Sequence, residues 1–212
     1  MTGEIYVRSV QSSNDFLIEK LENRGLRACL APQSEWLDYC SYIRRLHRGR
    51  NKLTDRLSEL IQHRIELAAR AAMAPHLGWR SAISVMESLM AAEPFVNSAL
   101  EGEAALTVGG ALQSWRRQHI DAVISVGPFE CMPTKIAEAQ LRHLAEREDV
   151  LSLTLAFNGE PPSEGMIDNF AFEVHERFRR KHNGQGAEAL SVGSIDRHGR
   201  AGCSVIEAPS SH

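Results

Sequence analysis

One thiol in this chain stands where chemistry is easiest to place. Residues 126–134 read Val-Gly-Pro-Phe-Glu-Cys-Met-Pro-Thr. The apolar run Ala122-Val123-Ile124-Ser125-Val126 before Cys131 has the character of a buried strand. Ile136, Gln140-Leu141 and Leu144 after it repeat on one helical face. Cys131 is therefore expected in a loop between a strand's C-terminal end and a helix start, with Pro133 in the first turn, where its missing N–H costs nothing. Ligands bind at that end of the strands in open α/β sheets, and the free N–H groups of a helix start favour a thiolate, the form that binds metal or attacks an electrophile. Gly127-Pro128-Phe129 stiffens the loop ahead of the thiol.

The other reactive side chains form no recognised pattern. Cys29 falls on an expected strand and Cys40 on an apolar helical face, both core positions, and Cys203 lies near the C-terminus. None of the nine histidines has metal-ligand spacing, and His175 is expected on a helix surface. Arg44-Arg45, Arg48, Arg50 and Lys52 are read as a solvated face. Gly109-Gly110 is expected at a strand–helix turn but is not a dinucleotide fingerprint. Neither a phosphate-binding loop nor a nucleophile elbow around Ser125 is found.

Composition sets the frame. The 212 residues suit one domain, and 43% hydrophobic content supplies a substantial core. A net charge of −3 gives no electrostatic case for nucleic acid or an anionic membrane. No apolar run approaches the ~18 residues of a membrane span, and Met1-Thr2-Gly3-Glu4 does not open like a signal peptide. Four widely spaced cysteines without a Cys-x-x-Cys pair point to a reducing cytoplasm and to no locally complete metal site.

Around the thiol the pattern predicts an α/β three-layer sandwich with a parallel, flavodoxin-like sheet of about five strands in the order 2-1-3-4-5. Strands are expected at 4–8, 26–31, 104–108, 121–126 and 150–157. Helices are expected from Ser13 or Asn14 to Asn23, from Ser34, from Leu112 to Gln118, over 133–147, and after Ser163 with Ile167, Phe170, Val174 and Phe178 as the buried stripe. Residues 35–101 read as a helical insertion whose stripe Leu53, Leu57, Leu60-Ile61, Ile65 should pack against the core or a partner. The domain is expected to span 1–182, with a poorly ordered tail over 183–212.

The succession 106–109, 121–133, 153–159 and Asn169-Phe170, with its Pro-Phe-x-Cys-Met-Pro core, resembles the C-terminal half of the 2-hydroxyacyl-CoA dehydratase and benzoyl-CoA reductase family. It is most similar to the related segment of acyl-CoA dehydratase activase proteins, and the likeness covers roughly residues 4–180. The resemblance implies that Cys131 is a ligand of an iron–sulfur cluster, most simply [4Fe–4S]. Gly109, Gly127, Pro128, Phe129, Met132, Asn158 and Gly159 are the candidate residues around that cofactor. It also implies partners: a cysteine-bearing α/β domain or subunit supplying further ligands, and an ATP-dependent activator supplying electrons. The family carries Asp where Asn158 stands, and the chain holds no activator-type ATPase sequence, so it is expected to act as part of a dehydratase or activase system rather than as an autonomous enzyme. A cluster-free interaction or scaffold domain of the same fold is the alternative. A binding domain for CoA or a small acyl compound, using Lys135, is a third reading.

Overall fold

The computed structural model describes residues 1–48, 57, 60–61, 63–65, 67–69, 71–72, 83–97 and 100–189. Its centre is a three-stranded parallel sheet in the order β1-β2-β3, formed by β1 (Thr2–Gly3), β2 (Val123–Pro128) and β3 (Ser152–Phe157). Thr2 pairs with Ser125, and Pro128 pairs with Phe157. Around the sheet stand α1 (Ile5–Ser9), α2 (Leu17–Glu22), α3 (Ser34–Arg48), α4 (Val85–Ala92), α5 (Ala104–Arg116), α6 (Met132–Glu148) and α7 (Glu164–Ala189).

Alternation along β2 divides the core. Val123 joins a cluster built from α3, α4, α5 and α6, with Leu112, Leu141 and Leu144 fully buried. Ile124 and Val126 join a second cluster with Val7, Leu17, Leu21, Ile167, Phe170 and Val174. Successive strand residues point to opposite faces, so the two clusters lie on opposite sides of β2.

The strands expected at 121–126 and 150–157 form close to those bounds, as do the helix expected over 133–147 and the helix after Ser163, where Ile167, Phe170 and Val174 of the expected stripe are buried and Phe178 is only half-buried. The strands expected at 4–8, 26–31 and 104–108 do not form, and among the described residues the sheet has three strands rather than five. The segment expected as a strand at 4–8 is the helix α1. Gly3, at φ 101°, ends β1 so close to its neighbour that a Cβ there would lie 2.0 Å from the Val126 carbonyl oxygen. Glu4 then caps α1 by accepting the Val7 N–H at 2.7 Å. The cap overrides the strand preference of Ile-Tyr-Val. Residues 26–31 run beside Met1, where the Ala31 N–H donates to the Met1 carbonyl at 2.9 Å, but they form no strand.

Residues 104–108 open the helix α5. A short apolar run cannot distinguish a buried strand from a buried helix, and all of 104–109 is buried here. The helix expected from Ser13 is a 3₁₀ turn, Gln11–Asn14, followed by α2. Asn14 organises the break: fully buried, it donates to the Val7 carbonyl at 2.6 Å and accepts the Leu17 N–H at 3.1 Å.

The described part of 35–101 contains helix and no strand. The described stripe residues Leu57, Leu60, Ile61 and Ile65 are helical, but each is at least half exposed, so they do not pack on this chain's core. Leu53 lies outside the described residues. Helix α7 continues to Ala189, beyond the expected domain end at 182, and 190–212 of the expected tail lies outside the described residues.

Candidate functional site

The sheet's C-terminal edge carries the Cys131 loop. Pro128 ends β2, and the Cys131 N–H donates back to its carbonyl at 3.2 Å, closing a turn. Glu130 in that turn adopts φ 58°, the left-handed region that non-glycine residues seldom occupy. Cys131 is the N-cap of α6, and its carbonyl accepts the Lys135 N–H at 2.9 Å. Its side chain makes no capping hydrogen bond, and its thiol is free and half-buried. Pro133 sits in the first turn of α6, as the sequence predicts. Phe129 and Met132, on either side of the thiol's turn, are 59% and 72% exposed, so the loop offers apolar surface with the sulfur.

Two contacts fix the loop's height over the sheet. Gly127 lets Thr134 lie directly on the strand, and a Cβ at Gly127 would be 2.1 Å from Thr134 Oγ1. The Phe129 N–H donates to the Phe157 carbonyl at 2.9 Å, tying this loop to the one after β3. Asn158 and Gly159 follow at once, exposed, with Asn158 Oδ1 accepting the Glu160 N–H at 3.0 Å and Gly159 at φ 97°. Gly127, Pro128, Phe129, Cys131, Met132, Asn158 and Gly159 therefore share one edge.

Gly109 does not belong there. It lies inside α5, packed against α4 so closely that a Cβ would be 1.8 Å from the Ser88 carbonyl oxygen. Gly109-Gly110 is a helix–helix contact, not a turn at a strand end. Cys29 is also elsewhere: with Asp121, Ala122 and Ile124 it lines a pocket at the start of β2, the opposite end of the strand from Cys131. Cys40 sits on α3 with a free thiol. Lys135 is held by Glu138 at 3.0 Å, and Lys135 and Arg142 together keep the Glu138 carboxyl below the usual carboxylate range. His175, expected on the surface, is partly buried, its Nε2 2.8 Å from the Arg24 carbonyl oxygen.

A cubane cluster takes four ligands, usually thiolates. Cys131 fits one of them. Among the described residues no group of three or more His, Cys, Asp or Glu side chains is placed to hold a metal ion, and the described residues by themselves do not fit a whole cluster.

The sequence reading missed Arg8, which is buried against the end of β1 with Glu4, Glu35 and Glu103 around it. Its one signal was an arginine inside the apolar stretch that was expected as a strand. In comparisons with known proteins, no family model, curated protein or solved structure matches the chain.

Proposed function

We propose that the chain is an iron–sulfur electron-transfer module or subunit related to acyl-CoA dehydratase activation, in which Cys131 presents one thiolate to a cluster completed by a cysteine-bearing α/β partner. The observation that carries this reading is the free, half-buried Cys131 at a helix N-cap beyond the central parallel strand, flanked by exposed Phe129 and Met132. The exposed apolar side chains beside the thiol give a partner something to cover. Bound there, such a cluster would supply one-electron transfer. The residues of this chain would orient the sulfur: Gly127 and Thr134 seat the helix, and Glu130 turns the backbone into it. In this reading the helices on both faces of β2 are a reduced flavodoxin-like three-layer arrangement, the electron donor is an ATP-dependent activator, and the setting is the cytoplasm.

A cluster-free interaction domain is the second reading, and exposed Phe129 and Met132 support it equally. The two separate in one experiment. The chain is produced together with its genomic neighbours and purified anaerobically, with and without Cys131→Ser. A ligand role requires visible absorption and iron in the parent complex and less of both in the variant, because a serine oxygen is a harder and less readily ionised donor. An assembled complex with equal iron in parent and variant, or with none in either, would favour the interaction domain.

A further inference from the structure

The strand β3 ends the sheet order β1-β2-β3, so among the described residues only one of its two edges is paired. The ladder fixes which backbone groups the other edge presents. The Val123 N–H donates to the Leu151 carbonyl at 2.8 Å and the Phe129 N–H to the Phe157 carbonyl at 2.9 Å. Between them, Leu153 and Leu155 also turn their polar backbone groups to β2. Ser152, Thr154 and Ala156 turn theirs outward, and among the described residues no strand takes them up. Proteins guard such an edge with charge, proline or a bulge. Val150 to Phe157 contains no charged residue and no proline, and its register against β2 is unbroken from Ser152 to Phe157.

We propose that β3 is the seam of a twofold dimer, in which it pairs antiparallel with β3 of a second copy of this chain and the two sheets become one. The outward set is symmetric about Thr154. A twofold axis there sets Thr154 opposite itself and Ser152 opposite Ala156 of the copy, so every outward N–H and C=O of the three residues finds its complement. The same register sets Leu153 opposite Leu155 of the copy, in the closer kind of antiparallel pair. Both leucines already pack with Ile124, Val126 and Ile167, so the pairing extends that core across the seam. The helix α7 runs along this side: Arg177 donates to Asp149, just before β3, at 2.9 Å. Met166, three turns earlier on the same face of α7, is 46% exposed and adds apolar surface beside the seam. A six-residue strand is about 20 Å long, and with a helix layer about 10 Å thick on each face the seam buries on the order of 600 Å² per copy, at the low end for a specific interface. The dimer is therefore weak and depends on concentration.

The full chain is sedimented over a concentration series, and amide hydrogen exchange is read at both ends of it. Monomer should pass to dimer within the micromolar range. The Ser152, Thr154 and Ala156 amides should exchange several-fold more slowly in the dimer, whereas the Leu153 and Leu155 amides, already turned to β2, should change little. Thr154→Pro removes an outward N–H and no ladder bond to β2, so the chain should fold and remain monomeric. Thr154→Lys, which sets two like charges opposite each other at the axis, should do the same. Should Thr154→Pro fail to fold, Thr154→Lys and the exchange pattern of the unmodified chain decide the matter by themselves. A chain that stays monomeric at the highest concentration would overturn the seam, whether its outward amides exchange freely or are protected by pairing with another segment. So would a dimer whose three outward amides exchange as fast as the monomer's, or one that persists in the folded variants.

Discussion

Gly127 and Thr134 interlock: the Cβ that an alanine would add at Gly127 falls 2.1 Å from Thr134 Oγ1 and 2.9 Å from its Cγ2. Both residues are buried, and Thr134 lies in the first turn of α6, three residues after Cys131. The helix start, and the thiol with it, can sit this low only because position 127 has no side chain. Gly127→Ala should lift the first turn of α6 and cost roughly 1–3 kcal/mol, the usual range for overpacking. Denaturant unfolding measures the loss, and the rate of Cys131 alkylation reports the displaced thiol. Parent-like values in both would mean that α6 is not seated by this contact.

Gly109 answers a different question from the one its sequence position poses. Its backbone touches α4 at the Ser88 carbonyl, and backbone cannot swing aside as a flexible side chain can. Gly109→Ala should force α4 and α5 apart and destabilise the fold by about 3 kcal/mol or more, at the upper end of overpacking costs. The alkylation rate of Cys131 should change little, because Gly109 is not at the strand-end edge. A variant with unaltered stability but altered Cys131 reactivity would restore the glycine to the candidate site.

Leu57 is 58% exposed, and its stripe neighbours Leu60, Ile61 and Ile65 are exposed with it. Leu57→Asp therefore buries no charge. The melting temperature of the purified chain should stay within about 1 °C of the parent's, the small effect ordinary for a surface substitution. A loss of several degrees would show that this face is covered in solution.

The contrast between Leu57 and Leu141 shows what periodicity can convey. Both lie on helical apolar stripes, yet Leu141 is 1% exposed and Leu57 mostly open. Amphipathic spacing gives the secondary structure and says nothing about whether the opposing surface belongs to the same chain. The strand β2, the helix α6 and the loop between them were legible because alternation, Pro133 and the change of period all agreed over 121–147. The stretch 104–110 was misread because a short apolar run followed by two glycines fits both a strand with its turn and a helix packed tightly on another. Arg8 was illegible because residues of α3 and α5, distant in sequence, close the small cavity around it, and because the cap at Glu4 turns an expected strand into a helix. The edge shared by Cys131 and Asn158 follows from the parallel pairing of β2 with β3, and Cys29 lies beside the opposite end of β2.

Charge on the outer surface should make the stability of the fold depend on pH. Glu164, in the first turn of α7, accepts Lys20 Nζ–H at 2.6 Å and Arg24 Nη2–H at 2.7 Å, both from the α2 end of the molecule. Arg24 also reaches Asp168 at 2.6 Å, and Lys20 reaches Asp15 at 2.6 Å. The bond from Lys20, then that from Arg24, holds the Glu164 carboxyl below the usual carboxylate range. A depressed carboxylate stabilises the fold above its unfolded value, and that contribution disappears as pH falls through the lowered folded value. Glu164→Gln should therefore melt below the parent at pH 7 and match it at pH 2–3, and high salt should shrink the gap at pH 7 because the pair is exposed. Melting curves across pH and ionic strength measure both effects. A gap that persists unchanged in acid would assign Glu164 a packing role instead, and a gap unmoved by salt would remove surface charge as the force that ties α7 to α2.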